Sequence, residues 1–558
     1  MLALALRMLG TVPGNWDYYQ IGDEQTMIGA ALRMGEERTL MARFDSLYYP
    51  PIMAYVFLPV IVVALGIHVL ATGIDSQAAL KAELIADPWV PLLAARLVAV
   101  AAGTVTVWVI MRVAGLLFGR MPGLCAGVLL ATSLMHVQLS HFARMWVFTT
   151  LVAWLLVWVG VRLSRERRVP LLLLAGTLAG IGIGVHIVGV LALVVVPVSA
   201  LIRSLRAASI SPQPTNSRMQ ATFGALRQAT SDALIALGPA LVVTALAMFL
   251  APQGFQMLLN EAPAAHQNRW TSERTPGVEK DFSERAVGYL GSYARFIVLF
   301  EPLLVVAAVC GAALLFRRRA WGFLLLIGSY PMVHVVFLLP FFVGDRYLLP
   351  ILPALTVVAA PLIVPLAHLR GAWGWGLRTA ALVGLVAQIG IVVQWDLLVG
   401  RPDTRTLARE WILTHVPNGA RVLALGPDLH LPESRESAET ARRLGLNATV
   451  AQQALMNDEF PEPIPSYVIV YYDSTESLPS GIDFDYLVLD ALDPTEAPAE
   501  VLALAQGGEL VAEILPGPVD RVDTDGVNTR MWFWNFRQLE RAGPLIRIYK
   551  LRIPSTAG

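Results

Sequence analysis

Apolar residues run through the first 400 positions in blocks close to the ~20 residues that a bilayer-crossing helix needs. The blocks fall at residues 90–113, 122–139, 146–163, 171–185, 187–202, 233–251, 296–316, 320–339, 348–368 and 379–397. Residues 1–12 read as the end of one more span. They are too short to cross alone, because about 12 helical residues rise only ~18 Å. They also have neither the charged start nor the cleavage site of a signal peptide. The pattern predicts a polytopic α-helical membrane protein of about eleven spans.

Basic loops set the expected orientation. Arg162 to Arg168, Arg203 to Arg206, Arg317 to Arg319 and Arg370 to Arg378 are short and strongly cationic, and such loops stay in the cytoplasm. Alternation then puts residues 140–145 outside and 114–121 inside, and the whole stretch 13–89 becomes a first external loop. Residues 52–72 are apolar enough to span, but a crossing there would turn every basic loop outward. They are therefore expected to form a juxtamembrane or re-entrant helix, entered through Pro50–Pro51 and bent at Pro59. The run 171–202 carries Gly176, Gly180 and Gly184 at four-residue spacing. Small residues so spaced let helices approach closely, and two short helices turning externally near His186–Gly189 are predicted.

Beyond residue 400 the pattern changes. Short apolar runs at Arg421–Leu425, Tyr467–Tyr472 and Tyr486–Asp490 alternate with helical stretches at Thr404–His415 and Glu436–Leu444, the signature of a small α/β domain. Two domains are thus expected: a transmembrane part, 1–399, and an external soluble part, 400–558. The latter has no Gly-rich phosphate fingerprint.

Composition narrows the class without changing the picture. The chain is 56% hydrophobic and 15% charged, against roughly 25% charged in soluble domains. Lys and Arg balance Asp and Glu at 42 each, so bulk charge favours no nucleic-acid partner. Cys125 and Cys310 lie far apart in apolar runs, which excludes a disulfide framework.

The expected external face collects unusual polar residues, and ionisable groups at membrane depth are functional candidates by default. Asp23–Glu24 follows the Trp16–Tyr19 cluster and precedes a helical stretch; it is either a helix cap or a catalytic carboxylate pair. His141 and Arg144 lie between two spans, where Arg144 either snorkels or contacts an anion or substrate. Asp345–Arg346–Tyr347 opens the span at 348, as a surface ion pair or as a guanidinium fork suited to phosphate. His186 is a polar turn residue or a member of the same group. The long loop 252–290 carries His266, Arg269, Trp270 and Glu273, and its length suits a lid or acceptor-binding role. No second ligand stands at a useful spacing from His266, which argues against a metal site there.

These motifs, taken in order, resemble the GT-C membrane glycosyltransferases that use a polyprenyl-phosphate sugar, of the protein O-mannosyltransferase and aminoarabinose-transferase type. The resemblance rests on Gly22–Asp23–Glu24, Tyr49–Pro50–Pro51–Ile52 with Tyr55, Ala94–Ala95–Arg96–Leu97, Ser140–His141–Phe142–Ala143–Arg144 and Arg346–Tyr347–Leu348–Leu349–Pro350. It extends through Asp403–Thr404–Arg405, Ala408, Trp411–Ile412 and Pro417–Asn418–Gly419–Ala420 to Gly543–Pro544 and Ile548–Tyr549. There are departures: Met145–Trp146 stands where an acidic residue is common after the second-loop Arg, Tyr49 where Lys often precedes the Pro pair, and His186 where Lys often caps the hairpin. The resemblance implies transfer of a hexosyl or pentosyl unit from a lipid phosphate to an acceptor hydroxyl outside the inner membrane, with inversion. Asp23 would be the base and Glu24 its orienting neighbour or an acceptor contact. Arg144, Arg346, Arg43 and His186 would hold the donor phosphate, and His141, Tyr347, His266 and Arg269 would contact substrate. The implied partners are the polyprenyl-phosphate sugar, the bilayer and a protein, lipid or glycan acceptor. A divalent cation is compatible with this chemistry, but the sequence demands none. Two other readings stay open: a lipid or solute transporter or flippase, which would show inverted repeats, and a non-catalytic anchor for residues 400–558.

Overall fold

The structure is a computed structural model that describes residues 1–11, 22–42, 51–210, 215–251, 282–339, 345–425, 429–444, 449–472, 483–489, 498–518 and 536–551. The chain divides into two compact units, Met1–Met8 with Asp23–Val60 and Ala95–Val393, and Leu9–Gly22 with Ile61–Ala94 and Gln394–Gly558.

Helices dominate the first 400 residues: α1 (Leu2–Met8), α2 (Gly22–Glu36), α3 (Ile52–Thr72), α4 (Gln77–Ala86), α5 (Trp89–Phe118), α6 (Arg120–Ala131), α7 (Leu134–Ser140), α8 (Met145–Leu163), α9 (Val169–Val185), α10 (Val195–Ile210) and α11 (Thr215–Phe249). There follow α12 (Phe282–Phe300), α13 (Pro302–Arg317), α14 (Trp321–Leu338), α15 (Leu352–Ala359), α16 (Ile363–His368) and α17 (Gly371–Val399). Among the described residues eight helices are long and apolar enough to cross a membrane, or up to ten when each bent pair counts as one. The expectation of a polytopic helical membrane protein is borne out.

Two of the expected spans are not single rods. The run 122–139 breaks at Thr132–Ser133, where α6 and α7 bend by 63°. The run expected as one span at 296–316 breaks at Glu301, where α12 and α13 bend by 109°. Pro302 opens α13; having no N–H and a ring that crowds the preceding turn, proline ends one helix and starts the next. Ile52–Thr72 runs unbroken through Pro59. Length and apolarity alone qualify it as a span, so its juxtamembrane placement rests on the charge of the later loops.

The run 171–202 forms the expected pair. Helix α9 stops at His186, and a 3₁₀ turn, Ile187–Val194, leads into α10. The glycine stripe packs α9 on α11: a Cβ on Gly176 would collide with the Ala236 carbonyl, and one on Gly180 would lie 2.6 Å from the Val243 Cβ. Trp154, Val157, Leu172 and Ala175 sit in the buried core of this unit. The Trp154 indole N–H donates to the Pro350 carbonyl at 3.0 Å and ties α8 to the 3₁₀ segment Asp345–Ile351. Two of the basic clusters converge on one carboxylate. Arg167 and Arg203 each donate to Asp232 of α11 at 2.7 Å, and Asp232 is 1% exposed.

In the second unit a five-stranded sheet has the order β2-β1-β3-β5-β4, from β1 (Arg421–Leu425), β2 (Val468–Tyr472), β3 (Tyr486–Leu489), β4 (Glu509–Ile514) and β5 (Ile546–Lys550). β1 is parallel to β2 and β3, whereas β5 is antiparallel to β3 and β4. Helix α18 (Thr404–His415) covers one face through Ala408 and Ile412, and α21 (Ala499–Gly507) covers the other through Val501. Between them lie α19 (Arg435–Arg443) and α20 (Val450–Met456). The far ends of this segment meet. Thr404 N–H donates to the Ala542 carbonyl at 3.0 Å, and Gly543, at φ +103°, leaves the room that Asp403 and Thr404 occupy. Helix α4, expected in the first external loop, packs in the same unit. Lys81 pairs with Glu459, and Ala82 and Ile85 lie against Leu455 and Phe460.

Glu433 is buried beside α20, where its Oε1 accepts from the Thr449 hydroxyl at 2.8 Å. Burial pushes its carboxyl from 4.5 up to about 7, against the opposing effect of hydrogen bonds from Thr449, Gln452 and Ser437. A carboxyl raised in the fold stays protonated while the unfolded chain's ionises. The associated stability is therefore complete below the unfolded value of 4.5 and lost as pH rises through about 7. Glu433→Gln should remove this dependence, by up to about 3 kcal/mol; melting of wild type and variant in detergent across that pH window measures it. Gly176→Ala should cost about 1–3 kcal/mol through the Ala236 collision, whereas Gly328→Ala, with open space around it, should not destabilise; thermal midpoints compare them.

Candidate active site

The site grows from the segment between α7 and α8. Helix α7 ends at His141, whose Nδ1 faces the Val137 carbonyl at 2.8 Å, so this nitrogen carries the proton. Four residues later α8 begins, with Arg144 in extended conformation at its N-cap. The Ala143 N–H between them donates to Glu24 Oε1 at 2.6 Å. Glu24 also receives Arg96 of α5 in a two-pronged pair, Nε to Oε1 at 3.1 Å and Nη2 to Oε2 at 2.9 Å. Glu24 is fully buried and Arg96 is 5% exposed. The Arg96 guanidinium lies 5.7 Å from the Phe142 ring centre. Three distant parts of the chain, α2, α5 and loop 141–144, are thus joined at one carboxylate.

A second cluster forms around Trp146, in the first turn of α8. Its indole packs 4.6 Å from the His186 ring and 4.1 Å from the Tyr347 ring. Arg346 lies over Tyr347, 5.6 Å from the ring centre. His334 of α14 meets the Tyr347 carbonyl at 2.8 Å through Nε2, so Nε2 is the protonated nitrogen. His186 Nδ1 accepts from Val188 N–H at 3.3 Å and closes the turn between α9 and the 3₁₀ segment. Close approach of Gly182 and Gly189 lets this turn form; a Cβ on Gly189 would lie 2.5 Å from the Gly182 carbonyl. Arg346 and the rings of Trp146, His186 and Tyr347 therefore belong to one connected cluster, and Arg144, 2% exposed, lies two residues before Trp146 at the start of α8.

Of the residues selected in the sequence, the structure brings together His186, Arg346 and Tyr347 around Trp146, and places Glu24 against the loop between His141 and Arg144. Asp23 is in the first turn of α2, next to Glu24, and its side chain lies outside the described residues. So do Arg43, His266 and Arg269. Glu24 was expected to orient Asp23 or touch an acceptor; its carboxylate is engaged by Arg96 and Ala143. Sequence reasoning missed five participants, Arg7, Arg96, Trp146, Glu301 and His334. Arg96, Glu301 and His334 are ionisable residues inside apolar runs, and that position is itself a signal; attention to the ends of the runs passed over it. Among the described residues no three His, Cys, Asp or Glu side chains converge as metal ligands.

Fold and site together define a polytopic helical membrane protein in which a buried Glu24–Arg96 pair holds the loop before α8 and an aromatic–histidine cluster with Arg346 gathers around the first turn of that helix. Residues 84–213, which hold α5 to α10 and loop 141–144, match the model of the family described as dolichyl-phosphate-mannose-protein mannosyltransferase, and over that stretch the resemblance read from the motifs is borne out. No curated protein matches the chain. Among solved structures, ArnT from Cupriavidus metallidurans bound to undecaprenyl phosphate is similar at 15% identity over 100% of this chain and 97% of its own, with a TM-score of 0.47. The apo Archaeoglobus fulgidus oligosaccharyltransferase is similar at 9% identity over 83% and 60%, with a TM-score of 0.46. The mycobacterial arabinofuranosyltransferase AftD is similar at 15% identity over 99% and 41%, with a TM-score of 0.39.

Removing one partner of a buried ion pair leaves a bare charge and costs about 3–5 kcal/mol. Arg96→Met should destabilise the protein on that scale. Adding Glu24→Leu should restore part of the loss, and a double-mutant cycle of melting midpoints reads the coupling.

Proposed function

We propose that this protein is a membrane glycosyltransferase that moves a sugar from a polyprenyl-phosphate donor to an acceptor hydroxyl. The observation that supports this best is the Glu24 junction, which fixes the start of α2, and with it the backbone of Asp23, against the loop that bears Arg144. The family match over residues 84–213 adds the donor class, a sugar on a polyprenyl phosphate.

In this reading Asp23 is the general base. It takes the proton from the acceptor hydroxyl as the oxygen attacks the anomeric carbon. Attack from the face opposite the phosphate gives inversion, with one carboxylate serving as base. The C–O bond to phosphate breaks and leaves a lipid phosphate. Arg144 and Arg346 hold its charge, with Arg43 and His186 behind them; fixed cations aimed at developing charge are the strongest device for such a step. Glu24 acts as an anchor: ionised and paired with Arg96, it holds α2 in register with loop 141–144. His141, Tyr347, His266 and Arg269 complete the substrate contacts. The transferred unit is a hexosyl or pentosyl group and the acceptor a protein, lipid or glycan. Reaction and residues 400–558 face the outside of the inner membrane. A lipid-linked donor suits that side, because it brings an activated sugar where nucleotide sugars are absent.

Asp23→Asn should lower transfer by about 10²–10⁴-fold while leaving membrane insertion and melting unchanged. The assay uses purified protein and radiolabelled polyprenyl-phosphate sugars; undiminished turnover in the variant would refute the base assignment. Arg346→Ala and Arg144→Ala should lower kcat, since they remove stabilisation of charge that grows on the leaving phosphate, with a smaller rise in donor KM.

A further inference from the structure

The break between α6 and α7 sits inside a run of apolar chain. A helix interrupted there leaves C=O groups at the end of α6 and N–H groups at the start of α7 without their intrahelical partners. In a bilayer no water is available to take them, and each unmet group costs several kcal/mol. The chain meets both needs with side chains from far away. Arg7 of α1, fully buried, donates to the Leu130 and Ala131 carbonyls at 3.3 Å each. It also reaches Ser140 Oγ at 3.3 Å and His136 Nδ1 at 2.8 Å, both on α7. Glu301, 2% exposed, accepts from the Ser133 hydroxyl at 2.7 Å and the Met135 N–H at 3.0 Å. The Arg7 guanidinium also has the sign that the C-terminus of α6 prefers. Gly103 of α5 leaves the space for this arrangement, because a Cβ there would lie 2.9 Å from the Ser140 Cβ and 3.1 Å from Arg7 Nε.

Glu301 is itself the residue at which α12 and α13 bend, so one carboxylate is shared by two broken helices. Helix α7 is seven residues long and leads directly into loop 141–144. Its placement sets where Ala143 meets Glu24 and where Arg144 opens α8. A helix so short does not hold its own position, since isolated helices below ~12–15 residues are marginal. Its orientation must come from the groups at its ends.

We infer that Arg7 and Glu301 are positioning residues: a guanidinium and a carboxyl that fill the two ends of the α6–α7 break by hydrogen bonding and thereby hold loop 141–144, with Arg144, in place for an anionic lipid headgroup. The headgroup part rests on the functional reading above; the positioning part does not. The test uses full-length protein in detergent with Glu301→Gln and the milder Ser133→Ala, which keeps the carboxylate and removes one donor. Hydrogen–deuterium exchange of the peptide over 141–145 is followed beside that of α8, and affinity is measured for a polyprenyl monophosphate. Expected are exchange at 141–145 at least about tenfold faster, α8 unchanged, and affinity at least about threefold weaker. If Glu301→Gln does not fold, Glu301→Asp and Arg7→Lys decide, because Ser133→Ala also removes the cap that Ser133 Oγ gives the His136 N–H. Unchanged exchange at 141–145 in every variant that folds, or equal loss of protection in α8, overturns the inference. A wild type that binds no polyprenyl phosphate counts against the functional reading, while the exchange result still decides the positioning role.

Discussion

The Glu24 carboxylate, out of contact with water and shared between the Arg96 guanidinium and the Ala143 N–H, is the interaction on which the arrangement of the site depends. An ionised carboxylate at this depth is tolerated only when its lone pairs are met by fixed donors. Here the donors come from α5 and from the loop before α8, and their geometry locks α2 to both. A buried pair of this kind contributes little net stability against an apolar alternative, but it selects one register.

A second set of polar side chains acts on the same segment from the other side. Arg7 and Glu301 occupy the broken ends of α6 and α7. The segment 132–144 is therefore fixed at each end by polar side chains drawn from α1, α2, α5 and the α12–α13 bend. Close packing supplies the rest. Glycines on α9 admit α11, and Trp154 holds α8 to Pro350.

The same economy of long-range contacts appears in the second unit. Asp403 and Gly543, 140 positions apart, share one corner because only a residue without Cβ fits beside Thr404 at that φ. Helix α4 joins this unit through Lys81, Ala82 and Ile85, so part of the stretch expected as an independent loop is packed with the sheet.

The sequence by itself determined the class. Apolar runs of membrane-spanning length are legible without partners, because a helix in hydrocarbon must satisfy its backbone alone and be apolar almost all round. Three strands of the C-terminal part, β1, β2 and β3, were legible for a related reason, since a buried strand reads as a short apolar run; β4 and β5, the antiparallel pair that completes the sheet, were not. Arg144, Arg346, His186 and the Asp23–Glu24 pair stood out as ionisable residues beside such runs. Only the tertiary structure decided that 122–139 and 296–316 are broken, since a break is stable when distant polar side chains fill its ends, and neither Arg7 nor Glu301 announces its partner along the chain. It alone showed that Glu24 is an anchored group paired with Arg96. Pairings across 72 to 168 residues are set by how helices pack, and the energy that selects them is absent from any local stretch of sequence.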